Sequence, residues 1–137
     1  MQEEDILKLE GLIIEPNNCP LSAPLNISMK YTLIKPVPGA TWEVVYEADY
    51  TNKRKAIALH TTAPADLQPG THQFTHTIPE IKTGDIKEKY LLQVGVLKLT
   101  LKGGGGSDNL AVVNMVTQVM KGDDGVLTRM IMNPIEE

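Results

Sequence analysis

Between Leu25 and Leu33 every second residue is apolar: Leu25, Ile27, Met29, Tyr31 and Leu33 alternate with Asn26, Ser28, Lys30 and Thr32. A period of two belongs to a β-strand with one buried and one wet face, because successive side chains leave a strand on opposite sides. The turn residues Pro36-Val37-Pro38-Gly39 follow, and Trp42, Val44, Tyr46 and Ala48 then alternate with Glu43, Val45, Glu47 and Asp49. A shorter strand is expected through Ala56-Ile57-Ala58-Leu59. After the turn Gln68-Pro69-Gly70, His72, Phe74, His76 and Ile78 share a face. Tyr90 to Leu101 is nearly continuously apolar, which predicts a central strand covered on both sides. With Ile6 to Ile14 the pattern predicts six strands, with room for a seventh, in an all-β antiparallel sandwich.

The run Gly103-Gly104-Gly105-Gly106-Ser107 divides this pattern from the C-terminal segment. It holds four of the eleven glycines and has the composition of the flexible linkers used to join protein segments, so it reads as engineered. All six aromatic residues, all three histidines and eight of the nine prolines precede it, whereas four of the six methionines come after it. The expected organisation is a sandwich over 1-102, a linker over 103-107, and a fused segment over 108-137 taken from a partner or from the same protein. Five residues span at most about 17 Å, so the segment has to pack close to the end of the preceding strand or on a neighbouring copy.

Thirteen basic and seventeen acidic residues leave a net charge of -4, which supplies no general attraction for nucleic acid or anionic lipid. No apolar run reaches the roughly 18 residues of a membrane-spanning helix. The acidic start Met1-Gln2-Glu3-Glu4-Asp5 is unlike a secretory leader, and Cys19 is the single cysteine. An intracellular location is the expectation.

No motif of nucleophilic, phosphate-binding or metal chemistry stands out. His72 and His76 have a metal-like spacing, but on a strand they lie about 13 Å apart and cannot share an ion. Glu43, Glu47 and Asp49 read as the solvated face of a strand, Cys19 as a small buried or loop residue, and Lys53-Arg54-Lys55 as charges guarding a hairpin end. The expectation is a protein that is not an enzyme, with no catalytic residue, cofactor or metal.

Protein recognition remains, and the tail speaks for it. From Asp108 as N-cap, residues 109-121 place Val112, Met115, Val116 and Val119 on one face of a three-turn amphipathic helix that Gly122 closes. Residues 126-132 read as a strand, with Leu127, Met130 and Ile131 as contacts. Helix on groove and strand on sheet edge are two recurrent modes of peptide recognition. On the domain, Leu92, Val94, Val96 and Leu97 are the candidate contacts. The alternative is that 108-137 completes the fold as its last two elements.

The order of features over residues 9-101 resembles the anti-silencing-function histone chaperone family. An opening strand leads to Glu15-Pro16-Asn17, then Pro24-Leu25-Asn26-Ile27-Ser28-Met29, Trp42-Glu43-Val44-Val45-Tyr46, Pro69-Gly70-Thr71-His72-Gln73-Phe74, and an apolar strand through Val94 and Leu97. The resemblance implies an immunoglobulin-like, non-catalytic sandwich that takes a helix on one sheet and a strand at an edge. The leading expectation is therefore a protein-protein interaction module, a subunit of an assembly, whose peptide partner is represented by 108-137. A histone H3-H4 chaperone is the alternative, although residues 1-102 are near neutral and Lys53-Arg54-Lys55 stands where that family tends to be acidic. A lipid-cargo carrier is a second alternative.

Overall fold

The computed structural model describes residues 6-106 and 108-134; the acidic start, Ser107 of the glycine run and residues 135-137 lie outside the described residues. Ten strands and one helical turn follow in order: β1 (Leu7–Glu15), β2 (Cys19–Pro20), β3 (Leu25–Leu33), β4 (Val37–Ala48), β5 (Lys55–Thr61), β6 (Ala65–Leu67), β7 (Gly70–Ile78), α1 (Glu88–Leu91), β8 (Gly95–Gly103), β9 (Asp108–Lys121) and β10 (Leu127–Ile131). The fold is an antiparallel β-sandwich. A smaller sheet has the order β1-β3-β7, and a larger one β2-β10-β9-β8-β4-β5, with β6 also paired to β4.

The alternation that predicted β3 sets its packing: Leu25, Ile27, Met29, Tyr31 and Leu33 are buried, and the residues between them are not. They meet Val44, Tyr46, Leu97, Leu99, Leu101 and Met115 of the larger sheet in one core. Trp42 spans the layers: its indole N–H donates to the Tyr31 hydroxyl at 3.2 Å, and the two rings pack edge to face at 5.3 Å. At one open side His60 of β5 stacks on His76 of β7 with ring centroids 3.6 Å apart. Burial, and then the neighbouring charge that His60 can carry, hold His76 below the usual histidine range.

Two expectations are corrected. The apolar run 90-101 is not one strand. Tyr90 and Leu91 end the turn α1, Leu92 caps it, and β8 begins at Gly95. Only its inward residues, Leu97, Leu99 and Leu101, are fully buried, while Lys98, Thr100 and Lys102 face outward. The second correction concerns residues 109-121, which form no helix. They lie in β9, paired along β8 from Gly95↔Thr117 to Gly103↔Asp108 and to β10 from Leu127↔Lys121 to Ile131↔Thr117. Val112, Val113, Val116, Thr117 and Val119 are β-branched and lose little on a pleated surface, and a strand here satisfies the backbone groups of β8 that a helix would leave unpaired. The expected strand 126-132 is present as β10. The short β2 and β6, with β9, raise the strand number above the expected six to seven.

Glycine closes the β8–β9 hairpin. Gly104, Gly105 and Gly106 all have positive φ (62°, 74° and 105°), a conformation that costs glycine little. Their turn docks on a second one: Gly104 N–H donates to Pro38 O and Gly105 N–H to Gly39 O, at 3.0 and 2.9 Å. Gly39 (φ 59°) leaves no room for a side chain, since a Cβ there would lie 2.7 Å from Gly105 N. Asp108, expected as a helix N-cap, is instead the first residue of β9, and Gly122 opens the β9–β10 turn, where its N–H donates to Val126 O at 2.9 Å.

The outer edge of β10 is covered by the segment after β1. Asn17 pairs with Ile131 through both ends of its amide, accepting from the Ile131 N–H at 2.8 Å and donating to its carbonyl at 3.3 Å. Asn18 N–H and Leu21 N–H donate to the carbonyls of Arg129 and Leu127. Beneath them Arg129, 1% exposed, extends into the interior.

Candidate functional site

The pleat of the larger sheet sorts the residues singled out in the sequence onto two faces. Met115, Val119, Ile131 and Leu97 point into the core and are buried, and Leu127 and Leu92 pack against its margin. Val112, Val116 and Met130 point the other way and remain 47%, 44% and 37% exposed. The helical face expected for Val112, Met115, Val116 and Val119 is thus split between core and solvent. Of the domain candidates, Val94 is exposed, while Val96 sits on the outer face but is 5% exposed, covered between Glu47 and Val116.

The outer face carries an apolar stripe across three strands. Val96 pairs with Val116, and Met132, just past β10, donates its N–H to the Val116 carbonyl at 2.9 Å. Met130 and the 68%-exposed Met120 continue it along the hairpin around the exposed Gln118, Val94 borders it, and Val112 lies further along β9 beyond the exposed Asn114. Beside it, β4 and β8 present charges that pair with one another. Lys102 Nζ lies 3.1 Å from Glu43 Oε1. Lys98 Nζ lies 3.1 Å from Glu47 Oε1, an ion pair aligned too poorly to be a hydrogen bond. A shallow depression of about 240 Å³ between these pairs and Val112 is floored by Val45. Neutralised charges beside exposed Val and Met give a surface suited to apolar contact with a polar margin. Met120 and Met132, which with Met115 and Met130 stand out in the sequence as methionines suited to an adaptable interface, belong to this surface; Val45 belongs to it too and was absent from the sequence-based contact set, its signal being the outward phase of the same alternation.

The residues weighed for chemistry are taken up structurally. Asp49 (φ 52°) is buried and organises the β4–β5 turn, its Oδ2 accepting from the Lys53 N–H at 3.2 Å. His72 Nε2 lies 2.6 Å from the Gln68 carbonyl oxygen and its ring stacks on Tyr31. The Cys19 thiol donates to Pro16 O at 3.4 Å. Among the described residues no helix is long and apolar enough to cross a membrane.

No protein-family model matches the sequence, and a search of curated proteins finds no match. Among solved structures, the chain is similar to Bacteroides uniformis β-glucuronidase 2, determined covalently bound to cyclophellitol-6-carboxylate aziridine, with a TM-score of 0.52 and 17% identity. The likeness is one of fold. It spans 79% of this chain and 13% of the glucuronidase, so a β-sandwich of this kind forms a small part of that much larger protein.

Proposed function

We propose that the protein is a non-catalytic protein-protein interaction module that receives an amphipathic helix on the outer face of its larger sheet. The observation that carries this reading is the exposed stripe of Val94, Val112, Val116, Met120, Met130 and Met132, which no part of the described chain covers. Methionine side chains adapt to the shape of a partner, and valines on a pleated sheet give the rigid ridges a helix packs against. The C-terminal segment enters this reading through β9 and β10, strands that build the surface by augmentation of β8, rather than as a helix lying on it.

The test is to select helical peptides from a displayed library on the immobilised protein and titrate them against the V116D and M130D variants. Selected peptides should carry apolar residues at helical spacing and lose at least tenfold in affinity on V116D, with the thermal midpoint of the variant within a few degrees of the parent. Peptides that bind both variants as tightly as the parent would place recognition elsewhere and overturn the reading.

A second reading, a histone H3-H4 chaperone, draws support from the order of features over residues 9-101 together with the uncovered sheet. It predicts saturable binding of an H3-H4 dimer that V116D abolishes. No binding at micromolar concentration would remove it.

A further inference from the structure

The end of the sandwich beyond β4 carries a cluster of cations that the sheet face does not explain. A cleft of about 540 Å³ opens between the β4–β5 turn and the segment from α1 to β8, lined by Thr51, Asn52, Lys53, Lys89, Tyr90 and Gln93 and by the largely buried Asp49. Two tyrosines hold its charges in place. Arg54 lies 4.3 Å from the centre of the Tyr50 ring, and Lys98 lies 5.5 Å from it. Lys55 and Lys89 lie 5.3 and 5.1 Å from the centre of Tyr90. A cation over an aromatic ring keeps its charge and its hydrogen-bond donors while losing freedom of movement. The Arg54 Nε–H also donates to the Tyr50 carbonyl at 2.8 Å, with Arg54 itself at φ 50°.

The nearby carboxylates do not neutralise this cluster. Glu47 pairs with Lys98 and Glu88 with Lys121, while Asp49 is turned inward onto the backbone of its own turn. Among the described residues no ion pair involves Lys53, Arg54, Lys55 or Lys89. Lys53 and Lys89 line the cleft, and Lys55 and Arg54 lie beside it over the Tyr90 and Tyr50 rings, so in a chain of net charge -4 this end is locally of the opposite sign to the molecule.

We propose that this cleft binds the anionic side chains, carboxylate or phosphate, of an acidic protein segment. Lys55 and Lys89 share the Tyr90 ring, Arg54 lies over Tyr50, and Lys53 lines the cleft with Lys89, a spread of cations that suits more than one anion rather than a single small ion. Tyr50, whose ring carries Arg54, donates its N–H to the carbonyl of the exposed Val94 at 2.9 Å, so the cation cluster adjoins the apolar surface of the larger sheet at Val94. Nucleic acid is disfavoured, because the Tyr50 and Tyr90 rings on which bases would stack carry cations. The proposal goes beyond the sheet-face reading and stands without it.

The experiment is a titration of the isotope-labelled whole protein, followed by amide NMR, with four probes: a hepta-glutamate peptide, its hepta-glutamine counterpart, a peptide of alternating phosphoserine and glycine, and a seven-nucleotide thymidine strand. An acidic peptide should move the amides of residues 51-55 and 89-93, weaken several-fold between 50 and 500 mM salt, and lose at least tenfold in affinity on K53E/K89E. The milder K53Q/K89Q should lose less, and V116D should bind as the parent does. The stronger of the glutamate and phosphoserine peptides names the anion. Equal shifts with glutamate and glutamine peptides, or unchanged binding by K53E/K89E, would overturn the site. Tighter binding of the thymidine strand at the same amides would overturn the assignment to protein.

Discussion

Arg129 shows how one residue can hold a sandwich together without a counter-ion. Its phase on β10 is inward, and its guanidinium spreads its donors over four main-chain carbonyls. Nη1 donates to Leu21 O and Ala23 O at 2.9 and 2.8 Å, Nη2 to Pro24 O at 2.8 Å and Pro16 O at 3.2 Å, and Nε to Pro16 O at 3.4 Å. All four carbonyls belong to the connection between β1 and β3, so one side chain fixes the path of the chain from the smaller sheet to the edge of the larger. Burial pushes the guanidinium below its usual range, and the nearby Cys19 opposes that shift. Arg129→Met would strand these carbonyls away from water and should lower stability by about 3 kcal/mol, read as the urea midpoint. Arg129→Lys should recover only part of the loss, because an ammonium cannot reproduce the planar fork. A methionine variant that unfolds at the parent's midpoint would contradict this role.

At the scale of elements, β9 explains both what sequence reasoning reached and where it failed. Val112, Met115, Val116 and Val119 satisfy a helical repeat, and the same segment satisfies a strand repeat through Val113, Met115, Thr117 and Val119, which are the buried residues. Periodicity could not choose between them. The β-branched content and the need of β8 for a neighbour did, and the second of these is a property of the sheet rather than of the segment. The strands β1, β3, β4 and β7 were legible because each has a wetter face to contrast with its buried one, and β5 because Ile57 and Leu59 alternate at the margin of the core. The run 90-101 misled because its first residues are apolar for different reasons: Leu91 and Leu92 pack a helical turn against the core, and Tyr90 lines the cleft beside Lys55 and Lys89. The cation cluster was half legible, since Lys53-Arg54-Lys55 is contiguous, but Lys89 and the two tyrosines join it only through the fold. Replacing the inward Met115 by Ala should cost about 2–5 kcal/mol, while Val116→Ala, one residue on and facing solvent, should cost less than about 1 kcal/mol. Chemical unfolding of the pair separates strand from helix, because on the helical face both losses would be alike.

For the molecule as a whole, the glycine turn joins two stretches that share one core. Met115, Val119 and Ile131 bury against Leu97, Leu99 and Leu101, and β9 is paired to β8 from Asp108 to Thr117 and to β10 from Thr117 to Lys121. Continuity of the chain at 104-106 should therefore matter little once the protein has folded. A protease site placed in the turn and cut should leave a nicked protein that elutes as a single species and separates only in denaturant. Free release of 108-137 in buffer would show that the tether, not the sheet, holds it. The smaller sheet and the Arg129 network impose the same unity from the other side, since residues 16-24 bind β10 directly.

The amide of Asn17 has an effect on how such molecules can associate with one another. By occupying the Ile131 main chain it closes the β10 end of one border of the larger sheet, while residues 109-115 of β9, which β10 does not reach, and β5 on the other border stay open to another strand. An endless ribbon through this sheet needs two usable borders on every copy. Asn17 withdraws Ile131 from that count, so growth through this sheet depends on the short stretch of β9 that β10 leaves open, and covering that stretch would confine association to closed pairs through β5.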